Sequence, residues 1–73
     1  MQKWEYLNVH VERIMEVSIV YANNKQVIKS KEDSFYTDLA LYLNSLGEQG
    51  WEMVNAQNRE PGFREYFFKR PTE

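Results

Sequence analysis

The segment Leu43-Asn44-Ser45-Leu46-Gly47-Glu48-Gln49-Gly50-Trp51-Glu52-Met53-Val54 constrains this chain more than any other. An apolar pattern of helical period stops at a glycine, and a tryptophan opens an extended pattern at once. Gly50 suits the position just past a helix, where a left-handed backbone is needed and glycine adopts it at least cost. Trp51 then falls where it can fold back on Leu46, the apolar contact typical of such a stop. Gly47, one turn earlier, is the alternative end. Upstream, Phe35, Leu39, Tyr42, Leu43 and Leu46 share one helical face, with Asp38, Ser45 and Glu48 turned away from it. Asp33 or Ser34 can cap the helix start. Leu41 lies off the stripe, either as an ordinary exposed leucine or as a contact with a second subunit.

The rest of the chain alternates with the period of strands. Between Lys3 and Met15, Leu7, Val9 and Val11 take one side, and Trp4, Tyr6, Asn8, His10 and Glu12 the other. Arg13-Ile14 is the expected turn into a second strand carrying Met15, Val17, Ile19 and Tyr21, unless a bulge interrupts one long strand there. Ala22-Asn23-Asn24-Lys25 is a turn, because asparagine tolerates the positive φ that tight hairpins require. Lys25 to Lys29 returns as a short strand whose lysines suit an exposed edge. After the helix, Trp51 to Gln57 forms a fourth strand, with Trp51 and Met53 opposite Val54 and Ala56. Asn58-Arg59-Glu60-Pro61-Gly62 turns, with Pro-Gly in type II order. Phe63 to Arg70 closes the fold, Phe63 and Phe67 facing one way and Tyr66 and Phe68 the other, until Pro71 ends it.

These elements predict one α+β domain over 1–73: an antiparallel sheet of four to five strands in the order β-β-β-α-β-β, with the helix across one face. A chain of 73 residues makes a small core, about 60% of its unfolded surface being buried on folding. It has no cysteine and a single histidine, which excludes disulfides, thiolate metal sites and imidazole-rich metal sites within one chain. Aromatic residues make up 15% of it, so rings and self-association are the remaining sources of burial. The formal net charge of −2 disfavours non-specific nucleic-acid binding. No apolar run approaches the roughly 18 residues of a membrane span, and the start of the chain lacks an apolar signal core. A cytoplasmic protein without membrane contact is expected.

Lys3-Trp4-Glu5-Tyr6, the Leu-Gly-x-x-Gly-Trp-Glu stretch from Leu46 to Glu52, and Tyr66-Phe67-Phe68-Lys69-Arg70-Pro71 together resemble a small, mainly bacterial family catalogued as domain of unknown function 4177. The likeness spans nearly the whole chain. It implies a compact α+β domain, usually a stand-alone small protein, and brings no catalytic residues with it.

Candidate chemistry is sparse. Glu48 and Glu52 flank the helix–strand junction, but paired-carboxylate catalysis needs a cleft and a raised pKa, and the plainer reading is solvation. His10 could act as a base, and Ser18 and Ser45 as hydroxyls, yet no nucleophile motif surrounds them. The glycines end a helix, so the backbone there offers carbonyls and not the N–H donors of a phosphate loop. Arg59, Arg64, Lys69 and Arg70 lie beside Tyr66 and Phe68, a mixture that could stack single-stranded bases, although Glu60, Glu65 and Glu73 dilute it. No cofactor or metal is implied. The best surface candidates are Trp4, Tyr6, Leu41, Tyr66 and Phe68. One helix cannot cover two sheet faces, and rings stand on both. The expected function is therefore a non-catalytic interaction module that forms a homodimer or meets another protein. The alternative is a small-molecule or single-stranded nucleic-acid binder using an aromatic sheet face.

Overall fold

The computed structural model describes residues 1–31, 33–60 and 62–72. Five strands and a helix follow in the order β1 (Trp4–Ile14), β2 (Val17–Ala22), β3 (Lys25–Lys31), α1 (Phe35–Glu48), β4 (Glu52–Glu60) and β5 (Phe63–Pro71). The strands form one antiparallel sheet, ordered β3-β2-β1-β5-β4. The predicted α+β class and element order are those observed. β1 is central: it pairs with β2 from Val9 to Ile14 and with β5 along nearly its whole length.

Two hairpin turns set the first three strands in register. Ile14 pairs with Val17, so the turn is Met15-Glu16, two residues later than the expected Arg13-Ile14. Met15 has φ 57, the conformation a tight hairpin needs in the absence of glycine. The second turn is Asn23-Asn24, with φ of 48 and 70, as a type I′ turn requires. The Asn23 side-chain oxygen also accepts from the Asn8 N–H at 2.9 Å, and the Asn23 N–H donates to the Asn8 carbonyl at 2.8 Å. The last hairpin connects Glu60 to Phe63, which pair. Gly62 has the positive φ of 83 expected there, while Pro61 lies outside the described residues.

Residues opposite each other share a face, so the register assigns every side chain. Toward α1 point Leu7, Val9 and Val11 of β1, Ser18, Val20 and Ala22 of β2, and Arg64, Tyr66, Phe68 and Arg70 of β5. The core is Val9, Val11, Val20 and Phe68 beneath Phe35, Leu39 and Leu46, with Tyr42, Leu43, Ile28 and Trp51 packed around them. Burial also raises the pKa of the Tyr42 phenol.

Helix α1 ends as its sequence predicts. Gly50 has φ 91; the Trp51 N–H donates to Leu46 O at 3.0 Å and the Gly50 N–H to Gly47 O at 3.0 Å. These are the paired bonds of a Schellman stop. The helix start differs from expectation. Ser34 occupies the cap position but its side chain makes no cap bond; its hydroxyl donates instead to the Lys31 carbonyl. Near that end, Asp38 accepts a hydrogen bond from Ser30 of β3.

The helix leaves β4 uncovered, and all nine of its residues are exposed. Register shifts between Met53 and Asn55 and between Asn58 and Glu60 bend it. The first shift places Met53 opposite Phe68 and Ala56 opposite Tyr66, so these two share a face. The strict alternation expected from the sequence, with Met53 opposed to Ala56, is broken by the bulge.

Candidate interaction surface

The sheet face away from α1 is the surface on which a site can be built. Its residues come from alternate positions: Trp4, Tyr6, Asn8, His10 and Glu12 of β1, Val17, Ile19 and Tyr21 of β2, and Phe63, Glu65, Phe67 and Lys69 of β5. No helix or strand of the described residues covers it. Trp4 is 41% exposed and Tyr6 68% exposed, large values for rings that belong to a sheet.

Two of the expected surface residues are elsewhere. Phe68 points toward α1 and is 3% exposed, and Tyr66 packs beside it against the core. The aromatic residues that β5 contributes to the open face are Phe63 and Phe67. Glu65 is the signal that could have separated the two sets. A glutamate in mid-strand sits poorly over a small apolar core, whereas Arg64 and Arg70 carry long stems that can cover it and reach out. Leu41 is on the outer side of α1 and 64% exposed, remote from the sheet. The capping trio Leu46, Gly50 and Trp51 is where it was expected.

The rings on the open face contact one another. His10 lies between Tyr21, with centroids 4.8 Å apart and planes 19° from parallel, and Phe63, at 5.8 Å and 14°. Arg59 of β4 lies over Phe63 at 5.9 Å, and Lys69 over Trp4 at 4.3 Å. Glu65 accepts hydrogen bonds from Gln57 and Arg59, both at 3.2 Å, with Asn8 at 3.5 Å. The His10 Nε2 is 3.3 Å from a Glu12 carboxylate oxygen. The centre of the face is thus an organised mixture of rings and paired charges.

Convergence fails for the residues that could have carried chemistry. His10 is on the open face in mid-sheet, Glu52 lies four residues along on the row of Tyr6 and Lys69, and Glu48 ends the helix on the other side. Ser45 donates to the Tyr42 carbonyl at 2.7 Å within the helix. Among the described residues, no group of three or more His, Asp or Glu is gathered as metal ligands would be, and no helix is long and apolar enough to cross a membrane. The expected basic cluster is split by strand alternation: Arg64 and Arg70 face α1, Lys69 faces away, and Arg59 is on β4. Arg70 is structural. It pairs with Glu5, donates to the Gln49 carbonyl at 2.9 Å and lies 4.2 Å over the Trp51 ring, fastening β5 to the end of α1.

Comparisons with protein-family models, curated proteins and solved structures give no match to this chain.

Proposed function

We propose that this protein is a non-catalytic interaction module that self-associates through the helix-free sheet face. The observation behind this reading is the exposure of Trp4 and Tyr6 on a face that no helix or strand of the described residues covers. The face is also large enough. The molecule's long and middle extents, 45 and 23 Å, outline roughly 1,000 Å², against about 800 Å² per partner in a standard interface. Its charges favour a second copy over an unrelated protein. One cross-strand row runs Lys29, Ile19, Glu12, Phe63, Glu60. A two-fold axis along the strands lays the lysine end of one copy over the glutamate end of the other, the self-complementarity that a symmetric dimer needs. The resemblance to the unknown-function family is compatible with this reading, since it implies a small stand-alone domain.

The base-binding alternative is disfavoured by ring geometry. Stacking a nucleobase needs a free π-face, and on this surface His10, Phe63 and Trp4 already have a ring or a cation against them, which leaves Tyr6 as the exposed ring without such a contact. Sedimentation velocity at micromolar concentration tests the proposal. A dimer is expected, and Tyr6→Glu should weaken it by about tenfold or more, since it buries a charge where a ring docks. A monomeric wild type with well-dispersed spectra would refute it. Titration with a short single strand at low salt separates the alternative, which predicts saturable binding there.

A further inference from the structure

On the helix side, away from the proposed dimer face, a cavity of about 130 Å³ opens between the first turn of α1 and the ends of β1, β2 and β5. That is many times the ~10–15 Å³ one water requires. Val11, Ser18, Phe35, Tyr36, Gly62 and Arg64 line it, with Arg13 at its wall. Val11 and Phe35 belong to the core, so the floor is apolar and rigid.

Three features of this cavity want a negative charge or an acceptor. The first is Arg64. Its Nη2 donates to the Tyr36 hydroxyl at 3.4 Å, and its guanidinium lies 5.7 Å over the Tyr36 ring. Hydrogen bonds to the hydroxyls of Tyr36 and then Tyr66 hold it firmly in the charged form, above its already high ordinary pKa. Among the described residues no carboxylate pairs with it. A guanidinium held by neutral phenols keeps donors for an oxyanion, which it prefers to bind through two parallel bonds.

The second is Ser18. It is 5% exposed and lines this cavity. No hydrogen bond to its hydroxyl is formed among the described residues, although each of the other buried or half-buried serines, Ser30 and Ser45, has one. Among the described residues no buried side-chain oxygen is left unsatisfied, so the Ser18 hydroxyl reaches open space, where an acceptor in the cavity can take its hydrogen bond. The third is the start of α1. The side chain of its cap residue Ser34 makes no cap bond, Phe35 and Tyr36 of its first turn line the cavity, and first-turn N–H groups carry the positive end of a helix dipole.

We propose that this cavity binds a small oxyanion, a phosphate or carboxylate group, gripped by the Arg64 guanidinium, the Ser18 hydroxyl and the N–H groups at the start of α1. The site is independent of self-association, because its residues lie on the opposite face from Trp4 and Tyr6.

Amide-resolved NMR titrations of the intact protein test this, one with orthophosphate and one with acetate, at ionic strength held constant with chloride. Saturable shifts confined to the amides of Ser18, Phe35 and Tyr36 are expected. Tighter binding of phosphate identifies a phosphoryl ligand, and tighter binding of acetate a carboxylate. Arg64→Gln should weaken the preferred anion by about tenfold. Ser18→Ala should weaken it by about threefold, because it removes one donor to the anion. Should Arg64→Gln fail to fold, the affinity of Ser18→Ala decides. Non-saturating shifts spread over many amides, or unchanged affinity in the variants, would each overturn the proposal.

Discussion

Gly47 and Gly50 stand three residues apart and place opposite demands on the backbone. Gly47 is inside α1, and a Cβ added there would meet nothing within 4 Å. Gly47→Ala should therefore stabilise the protein by roughly 0.5–1 kcal/mol through helix propensity alone. Gly50, at φ 91, also has open space around it, so the penalty for Gly50→Ala is purely conformational, about 1–2 kcal/mol. Urea unfolding of the two variants should move the midpoint in opposite directions; movement in the same direction would contradict the assigned helix end. Met15 makes the converse case. It is an exposed methionine held at φ 57, and Met15→Gly should raise stability by about 0.5–1 kcal/mol, read from the same titration. The Gly50 stop was legible in the sequence because only glycine meets that demand cheaply. The Met15 turn was not, because methionine gives no signal of a left-handed backbone and the strands around it impose one.

Alternation located the strands, but their faces depend on register. On β1 the inner set Leu7, Val9 and Val11 was plain. On β2, Val17, Ile19 and Tyr21 look like a core set, yet Val20 pairs with Val11 and carries Ser18 and Ala22 inward with it. Moving the turn from Arg13-Ile14 to Met15-Glu16 fixes which partners meet, and that information is not carried by apolar period. The same ambiguity reversed β5, placing Phe68 and Tyr66 inside and Phe63 and Phe67 outside. Among the elements, the junction of β5 with α1 hangs on Arg70, whose three contacts reach β1, the helix end and Trp51. Arg70→Met should cost about 1–2 kcal/mol, most of it from the lost bond to the Gln49 carbonyl and the cation–ring contact. Arg59, over half exposed in its pair with Glu65, should move the midpoint far less when changed to Met. Equal losses at the two positions would contradict the distinction drawn between them.

At the scale of the molecule, the thinnest dimension is 17 Å, room for one sheet and one helix and no third layer. The helix therefore covers one face of the sheet, and no element of the described residues covers the other. Composition alone foreshadowed this, since an aromatic-rich chain with one helix has more rings than that helix can cover. Which rings remain outside had to come from the register. The bulged, fully exposed β4 and the lysines Lys25, Lys29 and Lys31 on β3 discourage pairing at either edge of the sheet, which leaves the open face as the surface for the proposed association. The most direct test is an isotope-filtered NOE experiment on an equimolar mixture of labelled and unlabelled protein, which detects only contacts between copies. Cross-peaks from the rings of Trp4, Tyr6 and Phe67 to the partner are predicted. Intermolecular contacts confined to Leu41 and its neighbours on α1, or none at all, would contradict the account.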